Sequence, residues 1–174
     1  MDGFALPVKK LKGTDPVEML DLSGKNLGVA SAVVIASLIG VNGALTKLSL
    51  AQNKLGEKGT KFLCDALVCN NTLKELDLSG DRSFGGTVSN IGETAGAKHV
   101  AKMLLVNGGL TALNLSYNRL QDLGVSAVCE AIQSNKETKL ASLNFGDNHI
   151  GPVGANAVAA MVAVTGALTE VFAF

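Results

Sequence analysis

Hydrophobic positions in this chain follow two alternating rhythms. In short stretches leucines sit two apart, as Leu48 and Leu50 or Leu113 and Leu115 do, with polar or small residues between them; that alternation turns both leucines to one face of a strand. Each such stretch is followed by helical spacing, as in Leu63, Ala66 and Leu67, which share a face at i, i+3 and i+4. The strand patterns stop abruptly, in similar words. "LTKLSLAQNKLG" begins at Leu45, and comparable segments begin at Val17 ("VEMLDLSGKNLG"), Leu73 ("LKELDLSGDRSF"), Leu110 ("LTALNLSYNRLQ"), Leu140 ("LASLNFGDNHIG") and Leu168 ("LTEVFAF"). Intervals of 28, 28, 37, 30 and 28 residues make this a tandem repeat, with residues 1–16 ahead of it and a part-unit from 168.

One strand–helix unit cannot satisfy its own strand's backbone groups or bury its own leucines, so the copies must stack as one domain, 1–174, with a parallel sheet and a returning helix in each repeat. Residues at equal positions then form columns. Asn53, Asn118 and Asn148 follow their strands directly, where an amide can donate to and accept from the backbone of adjoining repeats. Lys25 and Asp81 occupy that position in the first and third copies, which predicts a weaker or locally rearranged ladder there. Ala36, Cys64, Ala101, Cys129 and Ala159 form a small-residue column that makes Cys64 and Cys129 buried packing thiols, while Cys69 falls on another helix face. Gly59, Gly96, Gly124 and Gly154, with Ser31 in the first copy, line up near the helix starts. Asn42, Asn70, Asn107 and Asn135 mark the helix ends, where left-handed or loop conformations suit asparagine. The apolar runs 29–41 and 161–168 are too short to span a membrane and predict buried helices. Phe4, Leu6, Val8 and Leu11 are expected to cover the first strand's open side.

The pattern LxxLxLxxNxL, carried most clearly by residues 45–72, resembles the leucine-rich repeat, and its unit length with the following GxxGxxxLxxAL-like half resembles the ribonuclease-inhibitor-like subfamily. The resemblance runs from 17 to 174. It implies an α/β solenoid, a segment of a right-handed horseshoe with its parallel sheet on the concave face and helices on the convex face. It also implies a protein-interaction scaffold without catalytic activity. The same subfamily is similar to Ran-type GTPase activators, so a regulator of a small GTPase is an alternative, although those carry an acidic tail and this chain ends in "VFAF".

Side chains flanking the inward leucines should face the concave surface: Met19, Asp21 and Ser23, then Lys47, Ser49 and Ala51, Glu75, Asp77 and Ser79, Ala112, Asn114 and Ser116, Ser142, Asn144 and Gly146, and finally Glu170 and Phe172. Six strands about 4.8 Å apart and three residues across give a strip near 250 Å². A standard interface needs about 800 Å² per partner. Binding therefore has to recruit more than the strip, and the nine extra residues of the third unit offer a rim. "DRSFGGTVSNIGE", 81–93, is expected to be a mobile loop carrying Arg82 and Phe84, with Tyr117 beside the concave face. Asp21, Lys47, Glu75, Asp77, Arg82, Phe84, Asn114, Tyr117, Asn144 and Phe172 are the candidate contact residues.

Composition narrows the rest. Fifteen basic side chains offset fifteen acidic ones, so no global field recruits nucleic acid or an anionic membrane. His99 and His149 lie far apart in register and build no triad, no Cys/His spacing fits a metal, and the glycines of 81–93 match no phosphate loop, so neither cofactor nor metal is expected. Three cysteines and an N-terminus without a long apolar run favour a reducing, cytoplasmic setting. The sixth strand, with Phe172 and Phe174, leaves an edge that could serve self-association or belong to a structural segment of a larger sensor protein.

Overall fold

A computed structural model describes residues 3–83 and 86–173. Six short strands, β1 (Met19–Asp21), β2 (Lys47–Ser49), β3 (Glu75–Asp77), and, past an inserted hairpin of β4 (Asp81–Ser83) and β5 (Gly86–Val88), β6 (Ala112–Asn114), β7 (Ser142–Asn144) and β8 (Glu170–Phe172), carry the six repeats. The sheet runs β1-β2-β3-β6-β7-β8 and every pairing in it is parallel. Leu20, Leu48, Leu76, Leu113, Leu143 and Val171 are mutual partners, so the repeat register read from the sequence is the register of the sheet. Helices α1 (Val8–Lys12), α2 (Val29–Ile39), α3 (Gly56–Leu67), α4 (Glu93–Leu104), α5 (Gln121–Ser134) and α6 (Pro152–Val164) follow, each packed on its neighbours in order. This is the α/β solenoid that the resemblance to the leucine-rich repeat implies.

The core is a continuous column of leucines between sheet and helices, with Phe145 its largest fully buried side chain. Two asparagine ladders seal its ends. In the first, Asn53 donates to the carbonyls of Leu22 and Leu50 at 2.9 Å each and accepts from the amides of Lys25 and Leu27. Asn118 and Asn148 repeat that arrangement. In the third repeat, where Asp81 stands, the ladder is locally rearranged as expected. Its rung is Asn90, which donates to Leu50, Leu78 and Ser79 and accepts from Leu55. The insertion enters before the asparagine, so the ladder crosses the third repeat uninterrupted.

The helix-end asparagines form the second ladder. Asn107 donates to the carbonyls of Leu67 and Asn70 and accepts from Gly109 and Leu110, and Asn42, Asn70 and Asn135 do likewise. All four lie in loop just past their helices, as expected, and none has a left-handed backbone; it is the amide that the position selects.

The glycine column is a steric one: a Cβ on Gly96 would lie 1.9 Å from the Ile91 carbonyl oxygen, and one on Gly124 3.1 Å from Ala97 Cβ. Three other expectations need correcting. The apolar run 29–41 is only half covered: Ala32, Ile35 and Ile39 are buried, but Val29, Val33, Val34 and Val41 face solvent, because a solenoid helix has a neighbour on each flank and water on its convex side. Residues 161–164 of the second run behave alike, with Met161 buried and Val162 and Val164 exposed. In the leading segment Leu11 is fully buried and Leu6 packs against the core, whereas Phe4 and Val8 are exposed, Phe4 lying under the Lys25 ammonium.

Cys64 and Cys129 are buried and Cys69 exposed, all as free thiols; Ala36 and Ala101 share the column, but Ala159 is exposed because, among the described residues, no further helix packs on that flank of α6. Burial pushes the Cys64 and Cys129 thiols up to about 12. A thiol reagent at pH 8 is therefore expected to modify Cys69 alone in the native protein and the other two only on unfolding; three equal rates would contradict the packed column.

Candidate functional site

The parallel register brings the outward side chains of six repeats together. They line a shallow trough of about 410 Å³ that includes Met19, Asp21, Lys47, Glu75, Asp77, Ala112, Asn114, Ser142, Asn144 and Phe172. Seven candidate contact residues thus meet on one face. Arg82 and Tyr117 stand outside it, and Phe84 lies outside the described residues.

The face is narrower than expected. Of the expected third column Ala51, Ser79 and Ser116 are buried and Ser23 and Gly146 half-buried, so the face is formed chiefly by two side-chain columns. The strands end after the second because that column closes a turn. Asp21, Asp77, Asn114 and Asn144 each accept the backbone amide two residues on, at 2.9–3.0 Å, and the Ser49 hydroxyl accepts from Ala51. Hydrogen bonds from the Ser23 side chain and backbone hold the Asp21 carboxyl below its usual value. The Oδ1 of each of these four aspartate and asparagine side chains is therefore engaged in the fold, and the two asparagines keep their amide NH2 groups beyond the turn.

The first column runs from Met19 through an exposed charge pair to small side chains. Lys47 Nζ lies 2.7 Å from Glu75 Oε1 with both side chains about half exposed, a pair worth under about 1 kcal/mol that a partner can displace. Beyond it Ala112 and Ser142 form a low floor that ends at Glu170, and Phe172, next to Asn144 in the second column, is 55% exposed at the far end.

On either side of residues 84 and 85 the insertion pairs as antiparallel strands, Asp81 opposite Val88 and Arg82 opposite Thr87, rather than running as an irregular loop. Its base is fixed: a Cβ on Gly80 would fall 1.8 Å from the Tyr117 carbonyl oxygen and 2.5 Å from that of Val88, so only glycine fits. Because Asn90 closes the ladder beneath it, replacing residues 82–87 with Gly-Gly is expected to change unfolding free energy by less than about 1 kcal/mol. A loss of several kcal/mol in urea titration would show that the hairpin supports the solenoid.

His99 is half-buried on α4, its Nε2 3.6 Å from Glu57 Oε1, and His149 is exposed after β7, so the two histidines differ in setting as well as place. Among the described residues no three His, Cys, Asp or Glu side chains converge, and no helix is long and apolar enough to cross a membrane.

Comparison with known proteins agrees with this architecture. The family described as Leucine Rich repeat matches residues 110–129 and 136–159. NACHT, LRR and PYD domains-containing protein 5 of Bos taurus is 37% identical over 118 residues, 67% of this chain and 10% of that protein. Ribonuclease inhibitor of Sus scrofa is 33% identical over 126 residues, 72% of this chain and 26% of that protein. The chain thus spans between a tenth and about a quarter of these relatives. Among solved structures, the tropomodulin C-terminal domain of Caenorhabditis elegans superposes with a TM-score of 0.66 at 14% identity, covering 90% of this chain and 89% of that one, a likeness of fold.

Proposed function

Because the chain belongs to the leucine-rich repeat family and is ribonuclease-inhibitor-like, we propose that it is a protein-interaction scaffold without chemistry of its own, which holds a protein partner in the concave trough. The observation that carries this reading is the in-register sheet, which gathers side chains from six repeats onto one surface. The trough is small, so the partner also meets the rim, where Arg82 projects from the hairpin and Tyr117 lies at its base. Three free thiols, two of them packed in the core, support a reducing, cytoplasmic setting for that partnership.

The test places bulk where the fold does not need the side chain. Ala112→Arg with Ser142→Arg fills the low floor and leaves the turn-closing column intact. A partner captured by the unaltered protein is expected to lose at least about tenfold in affinity to this variant and nothing to Lys102→Glu on the convex helices. Equal capture by both variants would remove the trough as the binding surface. A second reading, a structural segment of a longer protein, draws on relatives that are four to ten times the length matched here.

A further inference from the structure

The helices do not close on one another equally along the convex side. Between α4 and α5, which have α3 and α6 on their other flanks, a furrow of about 310 Å³ stays open to solvent. Its floor is Ala101, Ala127 and Ala131, and Leu105, 46% exposed, stands at its end. Two positions of the repeat account for the gap. Met103 and Met161 occupy the place of Ala131 one repeat before and one after, and both are buried at their helix junctions. His99 occupies the place of Ala127 one repeat before and reaches Glu57 on α3 at 3.6 Å. In α5 both positions are alanine, so its junction with α4 lacks the side chains that fill the junction before it. The walls are charged and unequal. Lys98 and Lys102, one turn apart, line the α4 side and Glu130 the α5 side. Neither lysine is paired with a carboxylate among the described residues, whereas Lys47 and Lys61 are.

We propose that this furrow docks an acidic amphipathic helix of a partner protein, with apolar side chains on the alanine floor and two carboxylates against Lys98 and Lys102. Charge selects the sign of the partner: two unpaired ammonium groups face one carboxylate, so an acidic stripe is attracted where a basic one is repelled. Shape selects its form. The furrow runs beside α4 from Lys98 to Leu105, seven positions apart, a rise of about 10 Å. Open along that length, it accepts a row of side chains at i, i+4 and i+7 of a docked helix rather than an enclosed small ligand. Carboxylates one turn apart on a helix lying alongside match the spacing of the two lysines. The site is on the opposite side of the molecule from the trough and does not depend on it, and its small area makes the contact a weak one.

The probe is an alanine-based helix of about 18 residues with leucines at i, i+4 and i+7 flanked by glutamates, titrated into the isotope-labelled full chain and followed by backbone amide shifts. Saturable shifts centred on Ala101, Ala127 and Ala131 are expected, with a dissociation constant on the order of 100 µM. The same peptide with lysine for glutamate should bind at least about tenfold more weakly, and Lys98→Glu with Lys102→Glu should weaken the glutamate peptide by at least about tenfold. Ala127→His with Ala131→Met gives α5 the residues of α4 and should abolish binding with the circular dichroism unchanged; should that variant unfold, the surface lysine pair decides alone. Ala112→Arg with Ser142→Arg should have no effect, which separates this face from the trough. The absence of shifts at about 1 mM peptide, equal binding of the lysine peptide, binding that survives the lysine reversals or the filled furrow, or binding lost to the trough variant would each overturn the proposal. Undiminished binding of a glutamate peptide broken by a central proline would overturn it as well, since the ligand would then be an extended segment.

Discussion

Asn118→Ala is expected to cost about 3–5 kcal/mol in urea unfolding, enough to leave the protein marginally folded at 37 °C. Asn118 is fully buried, accepts from the amides of Asn90 and Ile91 at 2.8 and 3.2 Å, and donates to the carbonyls of Leu78, Leu115 and Ser116. Alanine leaves these groups inside the turn without a partner, and an unsatisfied buried polar group costs more than a made hydrogen bond gains. The damage should extend to the third repeat, since Asn90 is itself held by Asn118 and in turn holds Leu50, Leu78 and Ser79. Asn71→Ala, at an exposed position, provides the control and should stay within about 0.5 kcal/mol. Equal effects of the two substitutions would mean that the ladder is ornamental to stability.

Phe145→Ala is expected to cost about 3–5 kcal/mol, the range for deleting a large, fully buried aromatic side chain. Phe145 stands where the first four repeats have leucine, is 0% exposed, and its amide donates to the Phe172 carbonyl, so it ties the fifth repeat to the sixth. A solenoid is stabilised neighbour by neighbour, so the loss should appear first as faster amide exchange in residues 140–173, with repeats one to three still protected. Phe145→Leu, which restores the common residue, should cost less than about 1.5 kcal/mol. A global loss of protection with Phe145→Ala would show a cooperative globule in place of a stacked array.

The sheet was legible in the sequence because its cause is local and repeated: Leu48 and Leu76 announce their pairing by equal position in equal units. The same spacing exposed the asparagine column and the thiol column. What escaped were positions where two signals overlap. Asn90 was hidden because the insertion shifts the count, although "SNIG" keeps the asparagine, aliphatic and glycine order of "NKLG" with one residue fewer. The helix-end asparagines were legible as loop positions but not as a ladder, since the sequence cannot tell an amide needed for its φ from one needed for its hydrogen bonds. Ser79 and Ser116 were counted on the surface because alternation alone does not say where a strand ends; Asp77 and Asn114 end it by accepting the Ser79 and Ser116 amides. The trough was therefore foreseen in its residues and overestimated in its width.

Nuclear Overhauser contacts between backbone protons of adjacent strands test the central arrangement most directly. The account predicts an unbroken parallel series linking Leu20, Leu48, Leu76, Leu113, Leu143 and Val171, including the step from Leu76 to Leu113 across the hairpin. A break at that step, or antiparallel contacts anywhere along it, would contradict a single sheet and with it the shared concave surface.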